Sequence, residues 1–106
     1  MAGTERGAEL VPDRVGRESA RREPERPCRV YIHNDAVTPM DFVVHVLVTV
    51  FLLPTINAEQ IMYAAHLNGR AYVQTLPATE ARRRIARARF AASLRTFPLE
   101  FSMEAE

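Results

Sequence analysis

The sequence has no lysine; all fourteen of its basic residues are arginine, a habit of codon composition rather than a functional signal. Thirteen acidic residues balance them to a net charge of +1, so nothing in the bulk charge calls for nucleic acid or an anionic membrane. Cysteine is almost absent too. Cys28 stands alone, which excludes an internal disulfide and fits a reducing, cytoplasmic setting. Long apolar runs are missing. The most apolar stretch, Phe42–Leu53, is interrupted by His45 and Thr49 and falls short of the roughly 20 residues a membrane span needs; it reads as a buried helix. The opening MAGTERGAEL has no apolar h-region, so no signal peptide is expected.

The equipment of catalysis is missing as well. His33, His45, His66, Asp35 and Asp41 are the only candidates. No two histidines have metal-ligand spacing, no Ser or Cys sits in a nucleophile motif, and there is no glycine-rich phosphate loop. The chain is read as a non-enzyme that needs no cofactor and no metal.

What is present is concentrated. With 106 residues there is room for one domain. Residues 1–27 hold few large apolar side chains, alternate Arg with Glu or Asp, and carry Pro12, Pro24 and Pro27. Such composition cannot offset the entropy of an ordered backbone, so a disordered tail is expected there. Residues 28–106 are expected to fold, as a monomer.

Within that domain, Arg29–His33 is β-rich and stops at the turn signal Asn34-Asp35. Thr38-Pro39-Met40-Asp41 predicts a helix start, with the Thr38 hydroxyl as cap, Pro39 first and Asp41 answering the cap. That helix should run to about Leu53 and stop at Pro54. Asn57 and Gln60 predict a second helix, ended by Asn68-Gly69. Residues 70–76 read as a strand. Pro77 opens a third helix, through Leu94, whose Ala81, Ile85, Ala88 and Ala92 form a core face. Its other face carries Arg82, Arg83, Arg84, Arg87 and Arg89. Leu99, Phe101 and Met103 alternate with Glu100, Ser102 and Glu104, a strand wet on one side. The order β-α-α-β-α-β predicts an α+β domain, a three-stranded antiparallel sheet packed against three helices.

The segment Asn34-Asp35-Ala36-Val37-Thr38-Pro39-Met40-Asp41-Phe42-Val43 resembles the signature of the ClpS adaptor family, roughly N-D-D-x-T-P-M-x-F-V. Met62-Tyr63-Ala64-Ala65-His66-Leu67-Asn68-Gly69-Arg70-Ala71 is similar to that family's M-x-x-V-H-x-x-G-x-A. Pro98-Leu99, followed by Glu104, is the third match. The resemblance covers about residues 29–104. It implies a fold close to the C-terminal domain of the ribosomal stalk protein. It also implies an adaptor that binds N-degrons, proteins with a free N-terminal Leu, Phe, Tyr or Trp, and delivers them to a ClpA- or ClpC-type AAA+ unfoldase, whose N-terminal domain is its docking partner.

The chemistry supports such a task. An N-terminus reader needs polar groups around an ammonium and an apolar hole for one side chain. The resemblance carries Asn34 and His66 over as ligands of the amino group, with Asp35 beside them; His66 accepts a hydrogen bond when neutral. Met62, Ala65 and His66 lie at helical spacing. Met40 and Leu99, on the last strand, complete the implied pocket, with Thr38 at its rim. Methionines adapt to side chains of several shapes. Taken singly, each residue has an ordinary reading: a turn for Asn34-Asp35, core for Met40, Met62 and Leu99, a surface histidine for His66.

The chain also departs from the family pattern. Ala36 stands where a second acid is usual, which predicts weaker binding. Ala65 replaces a common Val, which should deepen the hole in favour of Phe or Trp. In the third helix Arg84 matches a basic docking position and Thr79 replaces an expected Glu, while Arg82 stands where an acid is common and Gln74 replaces a Gly. A diverged relative that docks on the unfoldase without reading N-termini, or with altered reading, therefore remains the alternative. Nucleic-acid binding by the arginine-rich helix is a weaker rival, because no recognition module or interleaved aromatics accompany it.

Overall fold

The computed structural model describes residues 25–106. The tail expected over residues 1–27 lies outside the described residues except for its last three, of which Pro27 already opens a strand. The elements follow the order β1 (Pro27–His33), α1 (Met40–Thr49), α2 (Thr55–Asn68), β2 (Arg70–Pro77), α3 (Ala78–Ser93) and β3 (Glu100–Ala105). β1 is the centre of a three-stranded sheet and pairs antiparallel with β2 on one side and β3 on the other. The predicted α+β architecture is the one observed.

Alternation along β1 selects the core face. Cys28, Val30 and Ile32 are buried, while Arg29, Tyr31 and His33 point to the other side. The helices supply the opposing apolar stripes: Phe42, Val46 and Leu47 from α1, Ala58, Met62 and Ala65 from α2, and Ala81, Ile85, Ala88 and Ala92 from α3. Small residues on α3 let that helix approach the sheet closely. Phe51, fully buried after α1, stacks at a tilt on Phe101 of β3 with 5.1 Å between ring centroids. Side chains of this size contribute about 1.5–3 kcal/mol each when buried, so Phe51 fastens the turn after α1 to the sheet.

A bulge gives β2 its character. Val30 pairs with Gln74 but Tyr31 pairs with Tyr72, so Val73 is an extra residue. Gln74 thereby shares the inward face of its partner Val30, beneath α3. An amide there needs a partner, and Arg84 provides it by donating to its Oε1 at 3.1 Å.

The helix starts differ from their expected form. Pro39, Pro54 and Pro77 all hold the cap position in extended conformation, with φ/ψ of −65/148°, −60/149° and −56/147°. None of the three prolines has a side chain that can cap its helix, and in α3 the Thr79 N–H of the first turn is met by the Glu25 carboxylate instead. The Thr38 hydroxyl is taken by Asp35 instead (below), and Asn57 lies inside α2, two residues past its start. The reason is common to all three: a fixed proline φ serves an extended entry as well as a first helical turn, and a proline has no N–H to leave unsatisfied. α1 also ends early, at Thr49 rather than Leu53. Leu52 turns the chain at φ 61°, and the Leu53 N–H closes the turn on the Leu47 carbonyl at 3.2 Å. Leu99, expected on the last strand, lies just before β3 and is buried.

α2 ends where Asn68-Gly69 predicts. Gly69 has φ 92° and donates to the Ala65 carbonyl at 2.8 Å. A Cβ here would meet no atom within 4 Å, so the glycine is required by conformation rather than by space. Gly69→Ala should therefore cost about 1 kcal/mol through backbone strain alone. Thermal melting checks this; an unchanged midpoint would remove the strain account.

Candidate functional site

The loop from Asn34 to Pro39 joins β1 to α1, and it is built around Asp35. Its Oδ1 accepts the backbone N–H groups of Val37 at 2.8 Å and Thr38 at 2.7 Å, and its Oδ2 accepts the Thr38 hydroxyl at 2.9 Å. Partial burial pushes the Asp35 carboxyl upward, but the Thr38 and Val37 amides and the Thr38 hydroxyl outweigh it, and the pKa lies below the ordinary aspartate value. At the head of the loop, the Asn34 N–H donates to the Gly69 carbonyl at 2.9 Å. That bond fastens the loop to the end of α2, three residues beyond His66.

Between these parts lies a half-open cavity of about 450 Å³. All eight residues expected at the amino-group site and the pocket line it. Met62 and Ala65 are buried on α2 and Leu99 is buried ahead of β3, so they form its inner walls. Asn34 and His66 are exposed on its rim, with Asp35 and Thr38 alongside. Met40, 43% exposed at the start of α1, stands at the mouth.

The sequence reading missed Val43, Ile32 and His33, which also line the cavity. Val43 carried a signal, since it lies three residues after Met40 on the same helix face. Ile32 and His33, the two residues that lead into the loop, were read only as part of the strand. His33 is anchored through Nε2 to the Ser102 hydroxyl at 2.7 Å. Leu99 is positioned by the segment before it: Phe97 packs edge-on against Phe42 with centroids 5.0 Å apart.

Arg84 and Thr79, the expected docking residues, lie away from this cavity at the start of α3. Arg84 is only 17% exposed. It donates to Glu80 at 2.7 Å, to Gln74, and to the Phe51 carbonyl at 3.4 Å. The Arg84 hydrogen bond is the chief reason the Glu80 carboxyl is held below the usual range, with Arg83, Arg84 and Arg87 adding their charge. The Thr79 N–H and hydroxyl both donate to the Glu25 carboxylate. Among the described residues, no group of His, Cys, Asp and Glu is placed to hold a metal ion, and no helix is long and apolar enough to cross a membrane.

The chain is thus a small α+β domain with a half-open cavity, apolar inside and polar at its rim. Comparison with known proteins gives its family. The family model described as ATP-dependent Clp protease adaptor protein ClpS matches residues 23–102. The ClpS adapter of Syntrophus aciditrophicus is 38% identical over 79 residues, 74% of either chain. That of Acetivibrio thermocellus is 40% identical over 78 residues, 74% of this chain and 79% of the other. Among solved structures, Agrobacterium tumefaciens ClpS2 bound to L-phenylalaninamide superposes with a TM-score of 0.74 at 31% identity, covering 79% of this chain and all of that one. The chain belongs to the ClpS family of Clp protease adaptors.

The Asp35 geometry yields a prediction. Asp35→Ala removes three hydrogen bonds to a charged acceptor and should lower stability at pH 7 by about 1–3 kcal/mol. Because the folded pKa is depressed, this contribution is complete above the ordinary carboxylate range and is lost as pH falls through the lowered value. In urea denaturation the gap between wild type and variant should close toward acid; a gap independent of pH would mean that the carboxylate does not hold the loop.

Proposed function

We propose that this chain is an N-degron adaptor: it seats the first side chain of a client protein in the cavity, holds the client's free amino group at the rim, and delivers the client to a AAA+ Clp unfoldase. The observation that carries this reading is the convergence of residues from the loop, α1, α2 and the segment before β3 on one half-open cavity, apolar inside and polar at its mouth. L-Phenylalaninamide, the ligand of the Agrobacterium relative, supports it by its chemistry. It has a free α-amino group, an aromatic side chain, and an amide where a polypeptide would continue.

The roles follow from the geometry. Asn34 and His66 offer hydrogen-bond acceptors to the ammonium. Asp35 has about four lone-pair sites, and its own loop occupies three of them; one on Oδ2 and the negative charge are left for the client. Met62, Ala65, Leu99 and Val43 receive the side chain, and Met40 closes the mouth over it. Charge-assisted hydrogen bonds contribute about 1.5–3 kcal/mol each, and burial of one large apolar side chain about 1.5–3 kcal/mol. Together with backbone contacts they reach the roughly 8 kcal/mol of a micromolar complex. Once the client is held, α3, with Thr79 and Arg84 at its start, faces the unfoldase.

Fluorescence anisotropy with a Phe-first peptide and its N-acetylated twin tests the reading. The free peptide should bind near micromolar Kd and the acetylated one more than about tenfold weaker, since acetylation leaves the rim acceptors unpaired. His66→Ala should weaken the free peptide by a similar factor with an unchanged melting midpoint. Equal binding of both peptides, or none of either, would favour a relative that has given up N-terminal recognition.

Ala36 is exposed on the cavity rim, where the family signature has a second acid. Ala36→Asp should tighten the Phe-first peptide several-fold by restoring a carboxylate near the ammonium. An unchanged Kd would show that Asn34, Asp35 and His66 already satisfy the amino group.

A further inference from the structure

The cavity does not end at Met40. Met40 and Met62, which line it, also line a second, open groove of about 370 Å³, completed by Asp41, Val44, Glu59 and Tyr63. Helical spacing builds this groove. Met40 and Val44 stand one turn apart on α1, and Glu59 and Tyr63 one turn apart on α2. Met62 is buried and Val44 half-buried, so the floor is apolar, while Asp41, Glu59 and Tyr63 are exposed around it.

The charge in the groove is of one sign. Two carboxylates line it, and no arginine or histidine does. Glu80, Glu100 and Glu104 are each bridged by an arginine, but among the described residues neither Asp41 nor Glu59 takes part in an ion pair. Asp41 also borders a groove that holds His45 and Arg95, which leaves Glu59 as the carboxylate with no cation beside it. An apolar floor, an exposed aromatic ring and carboxylates without partners suit one kind of side chain: a long aliphatic stem that carries a cationic head.

A client offers such a group at a fixed place. With its first side chain in the cavity and its ammonium near His66, its chain leaves past Met40, the residue shared with the groove. The next Cα lies about 3.8 Å further on. Glu59 precedes His66 by two turns of α2, about 11 Å, a span that one residue of main chain and an extended arginine or lysine side chain cover.

We propose that this groove is a subsite for the second residue of the client and selects arginine or lysine there, with the stem over Met62 and Val44, the head against Glu59 and Asp41, and the Tyr63 ring beside it. This rests on the N-degron reading above and extends it by one position.

The test is competition fluorescence anisotropy on the full chain with peptides that begin Phe-Arg, Phe-Ala and Phe-Glu and are otherwise identical. Phe-Arg should bind about fivefold tighter than Phe-Ala, and Phe-Glu weaker than both, with the differences shrinking in 1 M salt, where the screening length is about 3 Å. Glu59→Gln should remove most of the preference for Phe-Arg and leave the Phe-Ala affinity as it is. Glu59→Arg should bring Phe-Glu level with Phe-Arg. Asp41→Asn is the weaker variant, because it also removes a favourable charge from the first turn of α1. Glu106→Gln, the same change of charge at the far end of β1, should alter nothing. Equal affinity for Phe-Arg and Phe-Ala overturns the proposal. So does a preference that survives Glu59→Gln, or one that Glu106→Gln reduces as much, which would mark the overall field of the protein rather than a subsite. Failure of all three peptides to bind would instead remove the N-degron reading, and the subsite with it.

Discussion

The hydrogen bond from the Asn34 N–H to the Gly69 carbonyl is the junction on which the site depends. One such bond contributes only about 1 kcal/mol net, but it is made where three constraints already meet. The sheet pairs His33 with Arg70, which brings the ends of β1 and β2 together. α2 has to stop, and Gly69 alone can take φ 92° without strain, so its carbonyl turns toward the loop. Asp35 folds the rest of the loop onto itself, so little freedom remains to be lost. Asn34 and His66 are thereby held on one rim although thirty-two positions separate them in the chain. Polar groups held in this way are pre-organised, whereas flexible ones would lose in ordering what they gain in any contact.

The cavity shows how a small core can stay open on one side. Met62, Ala65 and Leu99 are buried by any measure, yet one side of each faces the cavity rather than a neighbour. Their packing on the sheet side fixes their positions, and the other side stays open. Met40 completes the arrangement from the opposite bank and remains exposed, so one adaptable methionine stands at the mouth while the other, Met62, is buried among the walls.

α3 illustrates the competition between structural and functional use of polar groups. The bulge at Val73 turns Gln74 inward, and a half-buried amide without a partner would lose the hydrogen bonds it makes in water. Arg84 is drawn in to satisfy it and, on the way, ties α3 to the turn that carries Phe51. An arginine so engaged is poorly available to a partner.

Much of the domain was legible in the residues themselves. Strand alternation in β1, the alanine stripe of α3 and the Asn68-Gly69 stop are local signals, and each predicted its element because period and backbone preference act over a few residues. That Asn34, Asp35, Thr38, Met40, Met62, Ala65, His66 and Leu99 would meet around one cavity was expected from their joint pattern. The caps were not legible: Thr38 and Asn57 have the right chemistry for helix caps, but Asp35 competes for the Thr38 hydroxyl, and the prolines hold the cap positions instead, one residue later in α1 and three residues earlier in α2. The sequence by itself determined element types, their order and the apolar faces they present, since these follow from side-chain period and φ preference. Only the tertiary structure decided which polar groups are consumed internally and which stay free. Gln74, Arg84 and Asp35 look like surface residues in a string of letters, and their partners are chosen by sheet register and helix packing across distant parts of the chain.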